Sequence, residues 1–126
     1  MRIEVSKEKT FEPSYGGNLE LPVSERVRVF HRFLTAAERN KFIYTKPIKI
    51  GAASDGSMEF VQDEEGITRA IINRIENLEL EINGKAVKIT TAKALYETEG
   101  VPPALVREIE MYCFTASPEV GKLPLE

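Results

Sequence analysis

The alternation of apolar and polar residues is clearest along Leu78-Glu79-Leu80-Glu81-Ile82-Asn83-Gly84-Lys85-Ala86-Val87-Lys88-Ile89. Asn-Gly favours a two-residue type I′ turn, because both central positions need positive φ. The turn predicts a hairpin over residues 78–89 with Ile82 opposite Lys85, Leu80 opposite Val87 and Leu78 opposite Ile89. One face is then apolar, and Glu79 meets Lys88 on the other, while a slip of one residue would destroy the match. Shorter alternating pieces precede it at 2–5, at 19–21 (stopped by Pro22) and at 26–29, where Val27 and Val29 share one face and Arg26 and Arg28 the other. Alternation fails from Phe30 to Leu34, which predicts a bulge or burial on both faces.

Helical signals follow. Thr35-Ala36-Ala37-Glu38 reads as a capping box opening a short helix over about 36–44, and Pro47 stops any extension. Asp63-Glu64-Glu65 puts three carboxylates at the positive end of a helix over about 63–73, which Gly66 weakens by about 1 kcal/mol relative to alanine. Thr90 or Thr91 caps a short helix over about 92–98, ended by Gly100. Pro102-Pro103 leads into the last helix. At 100° per residue its buried face collects Leu105, Val106, Ile109, Tyr112, Cys113 and Ala116, and Ser117-Pro118 terminates it. Met111 and Phe114 fall off that face and are predicted to lie without core burial. The fold class expected is α+β: an antiparallel sheet including the 78–89 hairpin, packed by three or four short helices.

Turn-forming residues cluster at 13–18 and 51–57, the second small, polar and expected to be a mobile loop within one domain spanning 1–126. At 126 residues the chain is long enough for a core without disulfide staples. A charged fraction of 29% argues against global disorder. Net charge is −3 but uneven: residues 1–50 carry ten Lys/Arg against six Asp/Glu, and residues 51–126 carry seven against fourteen. Either the two halves attract each other or the asymmetry orients a charged partner. One cysteine rules out an intrachain disulfide and any site needing two thiolates, and favours a reducing, cytoplasmic setting. No run of 18 apolar residues is present and the first residues lack a signal peptide's apolar stretch, so no membrane association is expected.

Candidate chemistry is sparse. His31 and Cys113 are the only imidazole and thiol, and Cys113 sits on the apolar face of a helix, where thiols are usually inert. Asp63, Glu64 and Glu65 are consecutive and do not converge, and no calcium-loop, dinucleotide or phosphate-loop spacing occurs. No catalytic residue, metal or cofactor is predicted. Arg26, Arg28 and Arg32 mark a basic strand face near Phe30, Phe33 and Tyr44, an arrangement able to stack on bases, although no recognised nucleic-acid motif accompanies it and the chain is acidic. Protein–protein contact remains, with Met111 and Phe114 as the candidate partner-binding residues.

The segments Phe30-His31-Arg32-Phe33-Leu34-Thr35-Ala36-Ala37-Glu38-Arg39-Asn40 and Pro102-Pro103-Ala104-Leu105-Val106-Arg107-Glu108-Ile109, with the hairpin and the Thr-started helix between them, resemble small proteins of tailed bacteriophages and prophages, most of all tail assembly chaperones. The resemblance covers about residues 26–44 and 75–118. It implies a non-enzymatic, cytoplasmic protein of the bacterial host that binds the tape measure protein and recruits tail tube protein, and that can act as a homo-oligomer. A structural tail or head–tail joining protein is the alternative within the same setting, and a nucleic-acid-binding domain the alternative outside it. The β-patterned first half departs from the largely helical fold that the family implies.

Overall fold

The computed structural model describes residues 1–2, 8–47 and 58–115, with the side chains of 44–47 and 58–60 excepted. The architecture is α+β, and all strand pairing is antiparallel among the described residues. Strands β1 (Lys9–Phe11), β2 (Arg28–His31) and β5 (Ile72–Glu76) form one sheet with β2 in the centre. Strands β3 (Ile43–Pro47) and β4 (Met58–Gln62) form a second ladder. Strands β6 (Glu79–Ile82) and β7 (Lys85–Lys88) form the hairpin. The described residues hold four α-helices: α1 (Ala36–Phe42), α2 (Glu64–Ile71), α3 (Ala92–Glu97) and α4 (Pro103–Thr115).

The hairpin register is the one its turn dictates. Leu80 pairs with Val87, Ile82 with Lys85 and Glu79 with Lys88, and the Ile89 amide donates to the Leu78 carbonyl at 2.9 Å. Asn83 and Gly84 take φ of 53° and 79°, the left-handed values a type I′ turn requires. A bond from the Ile75 amide to the Thr90 carbonyl, 2.9 Å, ties the hairpin to β5.

In the central strand the reading of burial on both faces holds: Val29, Phe30 and His31 are buried in succession. The register of β2 against β5 does shift between Phe30 and His31, but the extra residue, Asn73, belongs to β5. Ordinary alternation sends neighbouring side chains of β2 to opposite sides, and both sides are packed. One side meets α4 through His31. On the other, the Arg74 guanidinium lies 3.8 Å from the centre of the Phe30 ring.

The core gathers Val29, Ile75 and Ile89 from strands with Ile67, Ile71, Leu95, Leu105 and Ile109 from helices. Helix α2 buries Ile67 and Ile71, one turn apart, and packs chiefly on α4. On α4 the predicted stripe is present: Leu105, Ile109 and Cys113 are buried, and Val106 and Tyr112 are half-buried. Ala116, Ser117 and Pro118 lie outside the described residues, as do residues 3–5 of the first expected strand and the expected loop at 51–57.

Two helices stop earlier than periodicity predicts, for the same reason. The Phe42 carbonyl accepts from the Asp63 amide at 2.8 Å, and the Ile71 carbonyl from the Arg32 amide at 2.9 Å. In each case a ladder to a distant segment takes over the chain, so Ile43 and Ile72 begin strands instead of prolonging helices. The caps are as expected. Thr35 and Glu38 exchange both capping-box bonds, Asp63 accepts from the Gly66 amide at 2.9 Å, and Thr91 caps α3.

Gly66 has a reason that helix propensity does not show. A Cβ at this position would press on the Asp63 carboxyl group and stand 2.7 Å from Cε1 of Phe42. The side chain is missing because a cap and a ring already occupy its place. Gly66→Ala would ordinarily gain about 1 kcal/mol of helix propensity. Here it should lower stability by about 1 kcal/mol net, through loss of the cap and displacement of the ring. Urea unfolding measures this, and a more stable variant would refute the close approach.

Candidate functional site

The segment 13–27 is built differently from the strand expected at 19–21, and this is a correction. Gly16 and Gly17 both take positive φ, 65° and 74°, and kink the chain inside the 3-10 stretch Tyr15–Glu20. A second 3-10 turn follows at Val23–Glu25. Leu19 and Glu20 therefore lie in turn geometry and pair with no strand.

Three side chains pin this segment. Asn18 is buried inside it. Its amide Nδ2 donates to the carbonyls of Pro13 (2.8 Å) and Val27 (3.1 Å), and its Oδ1 accepts from the Val27 amide at 2.7 Å. One amide thus joins the two ends of the loop. From α4, the Glu108 carboxylate accepts from the Ser14 amide (2.6 Å), the Ser14 hydroxyl (2.9 Å) and the Tyr15 amide (3.1 Å). From the turn between β5 and β6, Asn77 Nδ2 donates to the carbonyls of Ser24 and Arg26 at 3.0 and 2.8 Å.

What this rigid loop presents is apolar. Tyr15, Leu19, Leu21 and Val23 are between 41% and 50% exposed. The loop also walls a cleft of about 170 Å³ whose other sides are Leu78 and Leu80 of the hairpin arm and Pro102 and Leu105 at the start of α4. A second cleft of about 340 Å³ adjoins it across Leu78 and Glu79 and is bounded by Ser24, Glu25 and Lys88. Sequence reasoning missed this surface because leucines alternating with glutamate read as a strand. The available signal was Gly16-Gly17-Asn18 just before them.

The residues singled out from the sequence do not form one surface. Met111 is 44% exposed, but Phe114 packs against the core. Arg26 and Arg28 do point the same way, and both meet Glu12, each at 3.1 Å. Arg32 lies beyond the bulge, outside β2, and holds Glu38 through two bonds of 2.8 and 2.7 Å. This pair and the Thr35 amide keep the Glu38 carboxyl at a pKa of about 2. To take phosphate, these arginines would first have to release their carboxylates. Phe30, offered for base stacking, is covered by Arg74, and the side chain of Tyr44 lies outside the described residues. The ion pairs of these three arginines do not cross between the basic and acidic halves. The first half's Arg26, Arg28 and Arg32 find carboxylates within it, while Arg74 of the second half reaches back to Glu8 at 2.9 Å.

His31 and Cys113 are placed for structure. With Nδ1 protonated, His31 donates to the Arg32 carbonyl at 2.9 Å, and Nε2 accepts from the Tyr112 hydroxyl at 3.0 Å. Burial holds its pKa below the ordinary value, with the charge of Lys9 acting the same way and the Arg32 carbonyl and Glu8 opposing. Burial pushes the Cys113 thiol up to about 12, so it carries almost no thiolate at neutral pH. Among the described residues no group of three His, Cys, Asp or Glu is placed to hold a metal ion, and no helix is long and apolar enough to cross a membrane. The sequence matches no protein-family model, no curated protein and no solved structure.

Two outcomes follow from this geometry. Asn18→Asp keeps the acceptor for Val27 but sets a carboxylate oxygen against two carbonyls. It should cost about 2–3 kcal/mol in urea unfolding, and a change under about 0.5 kcal/mol would show that the loop is not held this way. His31, the only histidine, should titrate by NMR with a midpoint below its ordinary value of about 6.5. Its stabilising contribution is complete above that value and is lost as pH falls towards the lowered folded pKa, because the unfolded chain takes up the proton first. A midpoint at or above 6.5 would contradict the buried neutral ring.

Proposed function

We propose that this chain is a non-enzymatic protein-binding component of a tailed-phage or prophage assembly system, acting in the host cytoplasm as a tail assembly chaperone for the tape measure protein. The observation that carries the binding role is the pinned loop 13–27, which holds Tyr15, Leu19, Leu21 and Val23 outward on a fixed backbone beside an apolar cleft. Several large apolar side chains exposed on one short loop are costly for an isolated chain and support a contact surface. The buried, high-pKa thiol and the satisfied imidazole support the non-enzymatic side of the reading. The phage setting and the tape measure partner come from the resemblance of residues 26–44 and 75–118 to that family. A long helical client coated by many copies of a small protein would supply avidity without a large interface per copy.

The test is co-expression with the proteins encoded beside it, followed by affinity capture and mass spectrometry. Capture of the tape measure protein, with the chain absent from purified particles, is the expected result. No binding to the tape measure protein would overturn the reading. Stable incorporation into particles would also overturn it, in favour of a structural tail or head–tail joining role.

A further inference from the structure

The charge around the pinned loop is one-sided. Glu20 and Glu25 are the only charged residues between Tyr15 and Glu25, and Glu79 lines both clefts. All three are exposed. Among the described residues Lys88, opposite Glu79 across the hairpin, is the single cation lining either cleft. Arg26, the nearest arginine in sequence, is turned inward, with Nε donating to the Leu21 carbonyl at 2.9 Å and Nη1 held by Glu12. The surface is therefore apolar with an acidic rim. The smaller cleft, at about 170 Å³, is well below the roughly 300–1,000 Å³ of a site for a drug-sized ligand. It suits one anchoring side chain of a larger partner.

We infer that this surface docks a basic amphipathic helix of another protein, its apolar stripe laid on Leu19, Leu21 and Val23 with one side chain in the cleft between Val27, Leu80 and Leu105, and its flanking Lys or Arg residues facing Glu20, Glu25 and Glu79. The inference rests on the protein-binding reading above and adds the chemistry of the partner. Apolar contact supplies the affinity, and charge complementarity selects among amphipathic partners and speeds encounter. The loop is already ordered by Asn18, Glu108 and Asn77, so little conformational freedom is lost on binding.

The probe is an 18-residue Leu/Lys amphipathic peptide, compared with the same pattern carrying Glu for Lys, each titrated against the full chain by fluorescence anisotropy. The basic peptide should bind at least tenfold more tightly at low salt, and the difference should shrink as salt is raised. Leu21→Ser, an exposed change that leaves the core alone, should weaken binding at least fivefold. Glu25→Lys combined with Glu79→Lys should reverse the preference, and Glu99→Lys, away from the clefts, should not. Equal binding of the two peptides would overturn the inference. So would a basic preference untouched by the Leu21 and Glu25/Glu79 variants. A dimer in sedimentation that Leu21→Ser dissociates would overturn it too, assigning the surface to a second copy. Peptide binding that maps to this surface while the tape measure protein is not captured sinks the chaperone reading and leaves the docking surface. Capture that is indifferent to these variants does the reverse.

Discussion

The hydrogen bond from the Tyr112 hydroxyl to His31 Nε2 joins the central strand of the sheet to the last helix, and much of the packing is arranged around it. His31 reaches the core because it lies two residues after the buried Val29, on the same face of β2. Its second nitrogen is satisfied by the adjacent Arg32 carbonyl, so the buried ring carries no unmet polar group. The Tyr112 ring then stacks on Phe11 of β1 at 4.0 Å, nearly parallel, which fixes the outer strand of the sheet to the same helix. From that anchor α4 runs back along Ile109 and Leu105. One turn of its other face brings Glu108 under Ser14 and Tyr15. The same helix that closes the core thus places the loop that forms the candidate site.

The charged residues follow a local logic. Glu12 takes two arginines, Glu38 takes one, and Glu8 takes Arg74. Such partly exposed pairs contribute little stability each. Their larger effect is on what the surface offers: cations engaged in fixed bonds are poor counter-ions for a diffuse polyanion. Around the loop the opposite holds, since Glu20, Glu25 and Glu79 face outward. The net charge of −3 conceals this arrangement, in which Arg26, Arg28, Arg32 and Arg74 are engaged by carboxylates while Glu20, Glu25 and Glu79 are exposed around the apolar surface.

Features decided within a few residues were legible in the sequence. The hairpin register follows from Asn83-Gly84 and alternation alone. Thr35-Glu38 and Thr91 are caps whose partners lie three residues away. The apolar stripe of α4 needs only the helical repeat. Features that depend on distant partners were not legible. The ends of α1 and α2 are set by amides of Asp63 and Arg32, which no local rule supplies. The loop 13–27 depends on Glu108 and Asn77, 94 and 53 residues from the atoms they hold. Phe114 lies off the ideal buried stripe, yet half-buried neighbours extend the core around it. In the candidate site the turn cluster at 13–18 was legible from its residue types, while 19–21 was misread as a strand because the bonds that shape the loop come from distant residues.

A loop bearing four exposed apolar side chains has a simpler alternative, which is to fold over and bury them. Burying one large apolar side chain is worth about 1.5–3 kcal/mol, so leaving Leu19, Leu21 and Val23 outside forgoes stability. The geometry explains how the chain tolerates this. Asn18 occupies the inside of the loop and spends its amide on both ends, so no leucine can take its place without stranding the Pro13 and Val27 carbonyls and the Val27 amide. The loop is held open by a polar group that must stay buried, and the apolar residues are left outside as a consequence. Bonds at both ends of the loop and from two distant elements mean that little conformational freedom would be lost if a partner covered these side chains.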